Sequence, residues 1–428
     1  MSVSVSAPET AGPQKFPPTF YYANAIELLE RLAHYGFYIG LSLYLTKIVK
    51  MGDIEVGILL GNWRFAASMA PIPCGAIADR ISFKRSLILA FSLYSTAYAG
   101  ILLFPVRSVV IPCLFLAAIA GGFMKPVIMG TVVRTSPPGR QTEGFGVFYR
   151  MINAGSVIGK SLAYGVRRVV ALRFVAATSI VASLAALALA IFAYKEPDGL
   201  DEDQKREKGE KVKTEAAPAL RETLRGYATA LKNPRFTSFL LIFAGFYFMS
   251  EQFYMTFPKY VTRHIDEKAP LEMITLVNPA CIALFQGRMT KLTKSIDPVW
   301  TMALGVSIGA VAMLVMGAVP TIAGACLSGA IFAFAEMTFS PRFFDFIASF
   351  GTKAKSGMYM GMAFVPSAIG AWLGGQASGF LIAKHIPENG PHDPLAIWST
   401  YALLGMLCAV GMVVYGLLTK KSRARPAA

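Results

Sequence analysis

Glu27, Glu30 and Arg31 stand at i, i+3 and i+4 in the stretch "ELLERLAHYG", inside a run that is otherwise apolar. On a helix this spacing puts two carboxylates and a guanidinium on one face, and Tyr35 and Tyr38 continue that face one and two turns on. Arg64, Lys125, Arg150, Lys160, Glu251 and Glu336 are likewise single charges in apolar surroundings. Arg150, Asn153 and Lys160 share a helix face by their spacing. Lys125 precedes Pro126, and a proline inside a helix frees a backbone carbonyl and loosens the turn. A carboxylate beside arginine or lysine stays ionised, while burial alone favours its neutral form. Moving one partner away therefore changes whether the carboxylate holds a proton. Such a set suits the loading and release of protons.

The surroundings explain why these charges must be organised. Of 428 residues, 54% are hydrophobic and 15% charged, against about a quarter charged in soluble domains. Apolar windows long enough to cross a bilayer fall at 19–48, 54–79, 84–106, 108–134, 142–168, 171–194, 235–262, 271–292, 297–317, 319–349, 356–384 and 395–419. These predict an all-α membrane protein of twelve transmembrane helices in two six-helix halves. A charge at mid-membrane costs about 2.5–3.5 kcal/mol on insertion scales. The nine buried charges, left unpaired, would cost on the order of 25 kcal/mol, more than the net stability of most proteins. They must face one another, a wet cavity or a ligand. For any one of them, snorkelling or a permanent ion pair is the plain alternative.

The organisation follows the same pattern. Residues 1–18 form a polar tail with no signal-peptide pattern. The halves cover 19–194 and 235–420, and 421–428 is a basic tail. Between them, 195–234 reads as a solvated linker with an amphipathic surface helix near Leu220–Leu231. The net charge of +16 is concentrated in alternate loops, including "DRISFKR", "RMTKLTK", "TKAK" and "KKSRAR". That distribution speaks for a membrane surface and against nucleic acid, and it places both termini in the cytoplasm of a cell-membrane protein. Cys74, Cys113, Cys281, Cys326 and Cys408 lie in apolar windows without a metal or redox spacing. No cofactor, metal or nucleophile motif is present, which argues against an enzyme. Two six-helix halves suit a transporter with its site between them at mid-membrane.

The loop "GAIADRISFKR", with Gly75, Asp79, Arg80 and Arg85, resembles the loop motif of the major facilitator superfamily, in which the acid and arginine pair at a helix end and the later basic residues anchor to the inner surface. "ELLERLAHYG" resembles the E-x-x-E-R-F-x-Y-Y-G motif of the proton-dependent oligopeptide transporters, a branch of that superfamily. "GGFMKP", "VFYRMINAGS", "MSEQ", "LVNP" and "AEMTFSP" are similar to that branch's segments on helices 4, 5, 7, 8 and 10, and they occur in the right order. The resemblance implies proton-coupled uptake of small peptides or related zwitterions by alternating access. It implies proton coupling by Glu27, Glu30, Arg31, Lys125 and Glu251. Substrate contacts are implied at Asn153, Asn278 and Glu336, with Glu336 holding the amino group.

The chain departs from the branch at several of these places. Leu32 stands for phenylalanine, His34 and Ser68 for tyrosines, Val127 for asparagine, and Tyr38 for the arginine that meets the peptide carboxylate. Arg64 lies one turn from Ser68 on the same face, so it is expected to replace that arginine, with Lys160 as a second candidate. Tyr35 and Tyr38 complete the expected substrate contacts. A second cargo, an organic or inorganic anion, fits the excess of basic over acidic residues in the first half.

Overall fold

The computed structural model describes residues 15–137, 140–197, 220–350, 359 and 361–423. The first half holds span 1 (Pro18–Lys47), span 2 (Asp53–Met69 continued by Pro71–Ile81) and span 3 (Phe83–Leu103). Span 4 (Arg107–Thr135), span 5 (Gln141–Val169) and span 6 (Leu172–Phe174, Val175–Ala188 and Leu189–Ala193) follow. After a helix at Leu220–Leu231 comes span 7 (Pro234–Met255, then Phe257–Tyr260 and Val261–Ile265). The second half continues with span 8 (Leu271–Ile274 and Val277–Thr293), span 9 (Pro298–Ala318), span 10 (Ile322–Ala348), span 11 (Phe364–His385) and span 12 (Pro394–Arg423). The result is an all-helical membrane protein of twelve spans in two six-helix halves. Most of the linker, the loop "TKAK" and both tail ends lie outside the described residues.

Local chemistry sets the boundaries. Proline opens spans 1, 7 and 9, where its missing N–H has no helical partner to lose. Asn233 accepts from the backbone N–H of Arg235 and Phe236, and Asp297 from that of Val299, so side chains cap spans 7 and 9. Span 3 starts at Ser82, whose φ of 86° turns the chain sharply. Its first N–H groups, on Phe83 and Lys84, donate to the Glu196 carboxylate at 2.8 and 3.0 Å. An acid from beyond span 6 thus holds the motif loop, in the place that a helix N-terminus offers an anion. Arg80 and Arg85 are exposed beside it, and the side chain of Asp79 lies outside the described ones. Span 2 breaks at Pro71 and packs its break against Gly122, one turn before Lys125 and Pro126.

Spans 3, 4, 6, 7, 9, 10 and 12 have the length and hydropathy of membrane helices. Spans 1, 2, 5, 8 and 11 fall short of that measure; spans 1, 2 and 5 carry charges among the candidate site residues, and spans 2 and 8 are broken into segments. Spans 3, 6, 9 and 12 expose large apolar side chains such as Leu89, Val181, Leu184, Val311 and Leu407, the arrangement expected of a surface that meets lipid.

Each half has its own apolar core. Along spans 2 and 11 the halves come into backbone contact at Gly61: a Cβ there would lie 2.8 Å from the Trp372 carbonyl oxygen and 3.2 Å from Gly375 Cα, and beside it Trp372 Nε1 donates to Asn62 Oδ1 at 3.0 Å. Ion pairs then close the face opposite the termini. Lys47 pairs with Glu267 at 3.0 Å, and Arg167 with Glu272 at 2.6 Å. Asp53 is shared by Lys259 at 2.7 Å and Arg263 at 2.8 Å. In each pair one residue comes from each half.

Candidate functional site

Three groups of side chains occupy the middle of the molecule. In the first half Arg31 is buried between Glu27, 3.1 Å away, and Glu30. The Glu30 contact is a close ion pair without hydrogen-bond alignment. Glu30 also accepts from the Tyr94 hydroxyl at 3.0 Å. Two carboxylates around one guanidinium leave a negative excess. Lys125 supplies the opposite charge across a small chamber that it lines with Glu30, His34, Trp63, Arg64 and Tyr94. No ion pair joins Lys125 to another described residue, so its charge acts through space on the cluster. His34 packs against the rings of Tyr35, Tyr38 and Trp63.

The second group crosses between the halves. Arg64 on span 2 donates to Glu251 on span 7, with Nη2 at 2.6 Å and Nε at 3.1 Å from Oε1. The Tyr38 hydroxyl donates to the other carboxylate oxygen at 2.7 Å. Tyr38 stacks on Tyr254 with centroids 4.4 Å apart, and the Arg64 guanidinium lies over the Tyr38 ring. The carboxylate is therefore gripped by a two-donor guanidinium, which is a strong geometry, and shut in by aromatic rings. Arg64 was expected to be available to a substrate carboxylate; in this state Glu251 holds it. Tyr38, at the position of the branch's arginine, serves the same glutamate.

The third group lines a cavity between spans 5, 7, 8 and 10. Glu336 accepts from Asn278 Nδ2 at 2.7 Å. Lys160 faces the same cavity, with one long contact to the Thr275 carbonyl at 3.4 Å. Its ammonium lies 5.7 and 5.9 Å from the Tyr35 and Tyr254 ring centres. Phe253, Phe257, Ile274 and Phe332 form an apolar wall. This pairing of a few polar groups with apolar lining is the usual composition of a small-molecule site.

The structure thus brings Glu27, Glu30, Arg31 and Lys125 together, joins Arg64 and Tyr38 to Glu251, and gathers Lys160, Asn278 and Glu336 around one cavity, with Tyr35 at its edge. Asn153 stands apart: its amide donates to the Tyr149 carbonyl of its own helix, and it does not line the cavity. Arg150 is exposed, because the helix has turned by its position and its face differs from that of Lys160. Trp63, Tyr94, Tyr254 and Thr275 belong to the site without having been singled out in the sequence. Only Tyr254 carried a signal, its three-residue spacing from Glu251.

The profile of the Major Facilitator Superfamily matches residues 25–375. The chain is 23% identical over 399 residues to "Multidrug resistance protein MdtH" of Photorhabdus laumondii, covering 90% of this chain and 92% of that protein. Its fold is similar to that of a POT family transporter solved with 5-aminolevulinic acid, at a TM-score of 0.74, 17% identity and coverage of 96% and 97% of the two chains. It is similar as well to a structure solved for substrate recognition in proton dependent oligopeptide transporters, at a TM-score of 0.70, 18% identity and coverage of 94% and 97%.

Proposed function

The chain belongs to the Major Facilitator Superfamily, and on that premise we propose that it is a proton-coupled symporter of small peptides or related zwitterions. The observation that carries the reading is the Arg64–Glu251 ion pair, which ties the two halves together beside a cavity holding one cation and one carboxylate. Protonation of Glu251 removes the charge that holds Arg64, so a proton taken up there releases one half from the other. Glu27, Glu30, Arg31 and Lys125 form the neighbouring cluster through which the proton is relayed or its charge compensated. Glu336, positioned by Asn278, takes the substrate's amino group.

In this reading the protein lies in the cell membrane with both termini in the cytoplasm, which the basic loops on the terminal face support. The ion-paired face is then the outer one, and the structure stands closed to the outside. The superfamily resemblance and the similarity in fold to proton dependent oligopeptide transporters support this reading. An anion as cargo is the weaker choice, because Arg31 and Arg64 are already neutralised by glutamates.

The test is uptake into proteoliposomes with an imposed inward proton gradient, using labelled alanyl-phenylalanine and labelled sulfate in parallel. The reading requires gradient-driven accumulation of the dipeptide, abolished by a protonophore. Accumulation of sulfate alone would transfer the role to anion transport.

A further inference from the structure

Granting the symporter reading, we infer that Lys160, and not Arg64, receives the substrate's carboxylate, and that the site takes a compact zwitterion with an apolar or aromatic side chain. Arg64 is spent: two of its nitrogens are on Glu251, its face lies against the Tyr38 ring, and it lines the first-half chamber rather than the cavity of spans 5, 7, 8 and 10. Lys160 is the opposite case. It is 3% exposed, it lines the larger cavity, and among the described residues its single hydrogen bond is the long one to Thr275. A buried ammonium has three protons to satisfy, and leaving them unmet is costly. Two tyrosine ring faces near 6 Å supply part of the compensation; an incoming carboxylate supplies the rest.

The geometry fixes what else the ligand carries. Glu336 shares the cavity with Lys160 without forming an ion pair with it, and its second oxygen accepts from no described residue. One cation and one anion at separate places in one small chamber match a molecule bearing both charges. A simple anion would leave Glu336 unmatched and repelling; a simple amine would leave Lys160 so. The rings of Phe253, Phe257 and Phe332 give the side chain an apolar wall with no charge to meet a lysine or aspartate side chain.

Binding to the purified protein distinguishes the assignments. The probes are alanyl-phenylalanine, its C-terminal amide, and alanyl-aspartate, measured by calorimetry. Wild type should bind alanyl-phenylalanine at least tenfold more tightly than either of the others. Lys160→Gln should lose at least tenfold in affinity for the free acid and little for the amide, and Lys160→Arg should restore part of the discrimination, which shows that the variant protein is folded. Arg64→Gln should keep the acid-over-amide preference. If Arg64→Gln erases that preference while Lys160→Gln keeps it, the inference is overturned and the symporter reading stands. If wild type accumulates the dipeptide but does not prefer acid to amide, the inference also fails alone. If wild type neither binds nor transports any of the three, both fall.

Discussion

The two halves are joined at two levels, and the levels are built differently. On the face opposite the termini, ion pairs are several and partly wet: Glu267 is 76% exposed on its side chain, and the seam is backed by backbone contact between spans 2 and 11. At mid-membrane a single carboxylate, Glu251, is 7% exposed on its side chain and takes both Arg64 and Tyr38. Redundancy makes the face opposite the termini tolerant of losing an exposed pair such as Lys47–Glu267. Concentration makes the middle depend on one carboxylate. The first is a seal and the second, in the proposed cycle, a trigger, so breaking each has a different effect.

The largest effect is expected at the trigger. Glu251→Gln removes the carboxylate's charge and keeps its shape, so the proposed coupling requires that it reduce gradient-driven accumulation by at least tenfold while exchange of substrate across the membrane, measured by counterflow, persists. Wild-type accumulation in this variant would move the coupling elsewhere.

Asp53 comes next, because among the described residues both Lys259, 1% exposed on its side chain, and Arg263 form their ion pair with this one carboxylate. Removing one partner of a buried pair costs about 3–5 kcal/mol, an upper figure here because Asp53 sits at a helix end. Asp53→Asn should therefore shift the molecule toward separation of the halves on the face opposite the termini. Spin labels on cysteines introduced at Lys50 and Glu388, in a background without the native cysteines, should report a longer distance; an unchanged distribution would show that the glycine seam closes the face unaided.

The smallest effect is expected from the Lys47–Glu267 pair. An exposed, solvent-screened pair contributes little, so Glu267→Gln should alter transport by no more than about twofold. The hydrogen bond from Lys47 holds the Glu267 carboxyl below the usual glutamate range. A lowered carboxylate pKa stabilises the paired state above the group's ordinary pKa, and that contribution is lost as pH falls through the lowered one. The same spin-label distance should thus lose only a small component at acid pH in wild type, and that component should be missing in Glu267→Gln.

The spans were legible because lipid demands long apolar helices, and the charges stood out because lipid makes them expensive. Glu27, Glu30, Arg31 and Lys125 could be read as one cluster from helical spacing and from the resemblance. The partner of Arg64 could not. It lies 187 residues away, and several buried acids were equally eligible by type. The freedom of Lys160 was hidden for the same reason, since it depends on which acid each arginine takes. Aromatic neighbours such as Trp63 and Tyr94 were invisible because aromatic side chains are common throughout this chain, at 12% of its residues. The cap from Glu196 to Phe83 and Lys84 was out of reach, as it joins a loop to residues more than a hundred positions earlier.

The seam at Gly61 and Gly375 bears on how fast the halves part. Where side chains interdigitate, separation requires rotamers to be re-sorted on both surfaces. Here backbone rests on backbone at Gly61 and Gly375, so sliding at that point requires no such rearrangement, as a journal turns in its bearing. Any Cβ added at Gly61 acts as grit in that bearing. The position is accordingly sensitive to every other amino acid, including ones that leave the ionisable groups untouched, and its variants should appear as slow transporters with normal substrate affinity.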